Sequence, residues 1–194
     1  VQNKTVYIIG GPNGSGKTTF VRQFLPNYVK VLNFVNADDI SRGLSPLDYS
    51  SMNIKAGKLM LNLIKEYTSR SLSFGFETTL AGRKWLSLID DLKKNNYAVF
   101  IYFLDLASIE LSVSRVKYRV ESGGHDIPEE TICRRYIRSR HNFWKIYKEK
   151  ADKWALFNNS GEKAELVASC DLSGIDVVDE KYYAYFFNSL MGGK

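Results

Sequence analysis

The segment Gly11-Pro12-Asn13-Gly14-Ser15-Gly16-Lys17-Thr18 constrains this chain more than any other. It fits GxxxxGK[ST] without a mismatch, and it lies between an apolar run, Thr5 to Ile9, and a helix-like run, Lys17 to Leu25. Glycines at these positions allow a turn whose backbone N–H groups all face inward. The N-terminus of the following helix adds partial positive charge. Such a loop cradles nucleotide phosphates. Lys17 is placed to reach the β- and γ-phosphates, and the Thr18 hydroxyl to coordinate Mg²⁺. The expected nucleotide contacts are Gly11, Pro12, Asn13, Gly14, Ser15, Gly16, Lys17, Thr18 and Thr19, with Thr18 the expected metal ligand. The loop by itself gives ATP or GTP binding and leaves the phosphoryl acceptor open.

Further along, short apolar runs alternate with longer periodic ones. The spacing predicts strands at Val31 to Val35, Ser73 to Glu77, Tyr97 to Leu104 and Trp154 to Phe157. Helices are expected at Ser50 to Arg70, Lys84 to Asn95, Ser108 to Glu121 and Pro128 to about Lys150. The first helix is expected to stop at Pro26, and the long helix to carry Ile54, Leu61, Leu63 and Ile64 as its apolar residues. Ala164 to Val178 reads as strand-turn-strand, followed by an aromatic helix from about Lys181 to Leu190. Strands that are continuous apolar runs and alternate with helices indicate a parallel sheet covered on both faces. The expected fold is α/β: a P-loop NTPase-type parallel sheet flanked by helices, with a helical lid and a C-terminal strand-turn-strand plus helix. No linker or repeat breaks the chain, so one domain over 1–194 is expected, with a lid at about 115–150. No apolar run approaches about eighteen residues, which excludes a membrane-spanning helix. The first residues lead straight into a strand pattern without a leader. Cys133 and Cys170 stand far apart, with neither disulfide nor zinc spacing, so a cytoplasmic protein is expected.

In such sheets ligands bind beyond the carboxyl ends of the strands. Asp38 and Asp39 follow the second strand, Glu77 closes the third and Asp105 the fourth. Phosphoryl transfer to a hydroxyl needs a carboxylate to accept the proton or orient the oxygen, and another near Mg²⁺. Asp38 is the expected base. Glu77 is expected to grip a substrate hydroxyl or a metal-bound water. Asp105 has the hhhhD pattern of a metal-site acid, but it lies three residues before Ser108 and is read first as a helix cap.

The formal net charge is +6, and Arg115 to Lys150 holds ten basic residues against five acidic ones. Five of the six net charges therefore sit in this one window, which points to a focal anionic ligand and away from a nucleic-acid coat. Ile109, Val113, Val116 and Val120 form a core stripe there. Arg115 and Arg119 are an i, i+4 pair, a spacing at which like charges repel unless an anion lies between them. Ile132, Tyr136, Phe143 and Tyr147 mark the apolar face of the next helix, Arg134 and Arg138 make a second pair, and Arg135 lies beside them. Arg140 falls inside the apolar arc, so it must snorkel or find a partner. Two arginine-bearing helices joined at Gly123-Gly124 read as a lid over the transferred phosphate, since the guanidinium fork binds phosphate oxygens in pairs. His125 reads as a structural hydrogen-bond partner in the turn and His141 as solvated.

Together these pieces resemble the zeta-toxin family of P-loop kinases, in its bacterial branch with a GGH lid. The resemblance rests on GPNGSGKTT (11–19), NADDI (36–40), FETTLAG (76–82), RVKYRVESGGHDIPEETICRRYIRS (115–139) and FNNSG (157–161). It implies a kinase using ATP and Mg²⁺, with Lys17 on phosphate, Asp38 as base, and Glu77 and Thr78 toward the substrate. It also implies that Arg119 and Arg135 act on the γ-phosphate, with Arg115 and Arg138 as further nucleotide contacts. The implied substrate is a small molecule, the amino-sugar 3′-hydroxyl of UDP-N-acetylglucosamine, and the implied partner is a separate antitoxin. Asn158 stands where the family carries Asp, and Arg140 where it carries an apolar residue. Two other readings stay open: a nucleotide-dependent switch with water as acceptor, and a kinase of nucleic-acid ends.

Overall fold

The computed structural model describes residues 4–48, 50–124 and 126–191. His125 lies outside them. Strand β1 (Thr5–Gly10) is buried along its whole length and runs into the phosphate loop and helix α1 (Lys17–Phe24). Then follow β2 (Phe34–Val35), α2 (Ala37–Leu44), α3 (Asn53–Ser69), β3 (Phe74–Thr78), α4 (Trp85–Lys94) and β4 (Ala98–Asp105). Helices α5 (Ile109–Glu121) and α6 (Glu129–Asn142) come next, then β5 (Lys153–Asn158), β6 (Glu165–Asp171), β7 (Gly174–Val177) and α7 (Glu180–Met191). The sheet order is β2-β3-β1-β4-β5-β6-β7. Its first five strands are parallel, whereas β6 and β7 are antiparallel to their neighbours. The chain builds one side of β1 with β2 and β3, then crosses to the other side for β4. The carboxyl end of β1 is therefore a topological switch point, where such sheets open a crevice.

Strand alternation divides the core. Val6, Ile8, Phe74, Phe76, Val99, Ile101, Phe103, Trp154 and Leu156 face one layer, which also holds Met60, Ile64, Ile89, Phe143, Tyr147 and Phe186. Tyr7, Ile9 and Leu104 face the other layer with Val21 and Leu25. Helices α5 and α6 make a third small core of Val113, Val116 and Ile132, with Ile109 and Val120 partly buried against it as their periodicity led one to expect, and Ile127 of the connecting turn added to it. Past α6, Phe143 stacks on Phe103 of β4 with ring centroids 4.3 Å apart. Burial of each such ring is worth roughly 1.5–3 kcal/mol, so the tail of this helix is fixed to the sheet while its first turns pack on α5.

Several local expectations are corrected. Pro26 does not stop the first helix. The chain widens into a π turn, Leu25–Val29, closed by Lys30 at φ 57°; Pro26 sits at its start, where a helical segment tolerates the missing N–H. Val31 donates to Leu25 O at the end of that turn, so β2 keeps only Phe34–Val35. Helix α2 was not foreseen. The signal was there: the Asn36 side chain caps it, and Asp38 and Asp39 occupy its first turn. In α3 the buried residues are Ala56, Met60 and Ile64, whereas Ile54 is 79% exposed. Helix α6 ends at Asn142 and continues as a π turn, Phe143–Tyr147, and a 3₁₀ turn, Lys148–Lys150. Asp105 does not cap α5, because Ser108 does so itself by accepting from Leu111 N. Asp105 is instead fully buried against Arg140 of α6, which answers what Arg140 pairs with.

Candidate active site

The phosphate loop leaves the middle of the sheet and is held from two sides. Gly14 lies at φ +74°, and a β-carbon there would meet the Ser112 carbonyl of α5 at 2.8 Å. Gly16 lies at φ +76°, and a β-carbon would meet Asn159 Nδ2 at 2.5 Å. Both positions need glycine for conformation and for space. The Ser112 hydroxyl donates to Asn13 O at 2.6 Å, and Asn159 Nδ2 donates to Ser15 O at 2.7 Å. Neither Ser112 nor Asn159 was singled out in the sequence, since nothing local marks a residue that supports a loop from a distance. Gly16 brings no side chain to cap α1, so the first N–H groups of that helix stay available to an anion. Asn13 Oδ1 and Ser15 Oγ are buried without a hydrogen-bond partner, which fits a polar ligand seated on this loop.

Lys17 is 7% exposed and donates to the carbonyls of Gly11 (2.9 Å) and Pro12 (2.8 Å). Its Nζ lies 3.9 Å from Glu77 Oε1. Burial pushes its pKa down; the charges of Glu77 and Asp38 oppose that shift, and those of Arg119 and Arg135 add to it. The phosphate loop and the acid that closes β3 thus meet at one ammonium group. The Glu77 pKa is raised, first by burial and then by Asp38 and Asp39, against the pull of Lys17 and the hydrogen bond from Thr18. Thr18 Oγ1 donates to Glu77 Oε2 at 2.9 Å, and Asn36 Nδ2 reaches the same oxygen at 3.2 Å. A hydroxyl and a carboxylate oxygen side by side are hard donors of the kind Mg²⁺ prefers. Thr18 and Glu77 therefore fit a magnesium site next to the phosphate loop. Glu77→Gln is expected to raise the Mg²⁺ concentration for half-maximal ATP turnover by roughly tenfold or more, read from a metal titration at saturating nucleotide. An unchanged midpoint would remove Glu77 from the metal site.

Asn36 is a third residue to which the sequence assigned no role. Its Oδ1 accepts from Asp38 N at 2.8 Å while its amide holds Glu77, so it ties α2 to the end of β3. Asp38 stands exposed on the first turn of α2, where the helix dipole favours negative charge. Of the other expected contacts, Thr19 and Arg138 are exposed. The Thr78 hydroxyl accepts from Trp85 Nε1 (2.7 Å) and Leu80 N (3.1 Å), which holds the turn after β3. Arg115 bonds the carbonyls of Asn159 (2.7 Å), Ser160 (2.8 Å) and Gly161 (3.2 Å), so its guanidinium braces the loop that backs Gly16. Asn158 turns back on its own loop, where Oδ1 accepts from Ser160 N and Oγ. Among the described residues no group of three or more His, Cys, Asp or Glu side chains could hold a metal, and no helix is long and apolar enough to cross a membrane.

Comparison with known proteins places this arrangement. The family model described as Zeta toxin matches residues 2–169. A protein of Haemophilus influenzae is 30% identical over 136 residues, 70% of this chain and 94% of its own length. Among solved structures, an ATP complex of AvrRxo1-ORF1 with ORF2 superposes with TM-score 0.77 at 16% identity. That alignment covers 95% of this chain but 63% of the other, so the chain spans less than two thirds of that relative. The PezAT toxin-antitoxin system of Streptococcus pneumoniae superposes with TM-score 0.68 at 15% identity, covering 100% of this chain and 81% of that one.

Proposed function

The chain belongs to the zeta-toxin family of P-loop kinases, and on that premise we propose that it transfers the γ-phosphate of ATP to a hydroxyl of a small molecule. The observation that carries this reading is the buried Lys17 of the phosphate loop, 3.9 Å from Glu77, with Asp38 exposed on the first turn of α2, which Asn36 ties to Glu77. A nucleotide switch needs no exposed acid beyond the metal position; a kinase does. The loop N–H groups and Lys17 hold the β- and γ-phosphates. Thr18 and Glu77 would hold Mg²⁺, which would supply Lewis-acid polarisation of the phosphate oxygens. Asp38 accepts the proton of the acceptor hydroxyl as its oxygen bonds to phosphorus and the bond to the β-phosphate oxygen breaks, releasing ADP. Arg119 and Arg135 balance the charge on the transferred group.

The family resemblance points to the amino-sugar 3′-hydroxyl of UDP-N-acetylglucosamine as acceptor. An ATP-bound relative supports ATP as donor. The likeness to a toxin-antitoxin system supports a separate antitoxin as partner. Both cysteines are free, which supports a cytoplasmic setting. Incubation with Mg²⁺-ATP and a panel of UDP-sugars and nucleosides, read by mass spectrometry, is expected to give one UDP-sugar heavier by a single phosphoryl group. A phosphorylated nucleoside and no phosphorylated sugar would overturn the acceptor class. ADP with no phosphorylated product from any acceptor would favour the switch.

A further inference from the structure

Arg140 interrupts the apolar arc of α6 and is nevertheless 5% exposed. Its Nε lies 3.0 Å from Asp105 Oδ1 at the end of β4. At that distance the two form a buried ion pair. Tyr182 of α7 donates to the other carboxylate oxygen at 3.1 Å. The guanidinium carbon also packs against the rings of Tyr136 (5.1 Å), Tyr185 (5.7 Å) and Phe186 (4.8 Å). Tyr136 donates to Leu106 O at 2.6 Å, and Tyr185 donates to Ala107 O. Asn159 N donates to Asp105 O, and Ala107 N donates to Ser160 Oγ. The short segment Asp105–Ala107 thus gathers the lid helix, the C-terminal helix and the loop that backs the phosphate loop. Helix α7 lies beyond the residues matched by the family model.

A buried ion pair is a poor source of stability. Desolvation offsets most of its attraction, and a well-packed apolar pair is often as stable or more so. Here desolvation raises the Asp105 pKa to about 6 even beside Arg140. A pair retained at that cost has a different use available to it, which is to fix one arrangement among several. Apolar packing tolerates a small slide or rotation of α6 against β4, whereas an ion pair clasped by three tyrosines does not. Arg135 sits next to Tyr136 on the same helix, so any such slide would move it relative to the phosphate loop.

We propose that Arg140, held by Asp105, whose other carboxylate oxygen takes a hydrogen bond from Tyr182 of α7, is a positioning residue for the transferred phosphate: it locks α6 and with it the place of Arg135 relative to the phosphate loop. This rests on the kinase reading and on the role given there to Arg135. The test uses the full chain and two probes, Mg²⁺-ADP and Mg²⁺-ADP with aluminium fluoride, which mimics the planar phosphoryl group in transfer. The variants are Asp105→Leu/Arg140→Met, Tyr182→Phe and Arg135→Ala, alone and combined. The double apolar variant is expected to melt near the wild-type temperature and to bind ADP unchanged. Its affinity for the fluoride complex is expected to fall by about tenfold or more. Adding Arg135→Ala to it is expected to cost little more, because both changes remove the same contact. Should the double apolar variant fail to fold, Tyr182→Phe carries the same comparison with a smaller loss. Losses that multiply, or fluoride affinity equal to wild type in a folded variant, would overturn the proposal and leave the kinase reading intact. If wild type gains no affinity from fluoride, or Arg135→Ala loses none, the fault lies in the kinase reading itself.

Discussion

Lys17→Ala is expected to abolish ATP turnover, with kcat/KM falling by on the order of a thousandfold or more. The size follows from where the ammonium stands. It is buried between the phosphate loop and Glu77, and it donates to the Gly11 and Pro12 carbonyls. Removing it deletes the positive charge nearest the β- and γ-phosphates and leaves Glu77, already raised by burial and by Asp38 and Asp39, without its main counter-charge. Lys17→Arg is expected to fail too, since a planar fork cannot occupy the volume of a point charge in a packed loop. Titration of a fluorescent ATP analogue and an ADP-release assay check both variants. Turnover within tenfold of wild type for Lys17→Ala would mean that the loop does not hold the reacting phosphates.

Asp38→Asn is expected to bind ATP with wild-type affinity and to lose transfer by roughly a hundred- to ten-thousandfold, the span that a positioned base contributes. Asn keeps the shape and the place on the first turn of α2, so the Asn36 cap and its link to Glu77 remain. What is lost is the proton acceptor. The measurement pairs nucleotide titration with formation of phosphorylated product. Full activity on the true acceptor would move the base elsewhere, with Asp39 the next residue to test. A parallel loss of ATP affinity would make Asp38 a binding group and leave the base unassigned.

Much of this site was legible before any coordinates. The phosphate loop follows from glycine spacing, and the amphipathic stripes of α5 and α6 follow from side-chain periodicity, which the burial of Val113, Val116, Ile132 and Tyr136 bears out. The oddity of Arg140 was visible as well, because a charge on an apolar arc breaks a local pattern. The residues that went unnoticed are of another kind. Asn36, Ser112 and Asn159 act across the fold, and Asn159 reaches Ser15 over a separation of 144 residues. Asp105 was misread because a strand-end acid before a helix has the local look of a cap. Pro26 was misread because a π turn is one of the few ways to carry proline past a helix end.

The sequence by itself determined that a phosphate-binding turn joins a buried strand to a helix, that acids close neighbouring strands, and that the positive surplus lies in one helical hairpin. These are short-range facts, set by rotamers, backbone freedom and periodicity within a few residues. The tertiary structure decided what surrounds the lid arginines. Arg115 is drawn to the 159–161 carbonyls, Arg119 and Arg135 are half-buried, and Arg138 faces solvent. All four look alike on a helical wheel. They differ only in what the sheet order and the C-terminal helix bring beside them, and those contacts arise from packing between segments far apart in the chain.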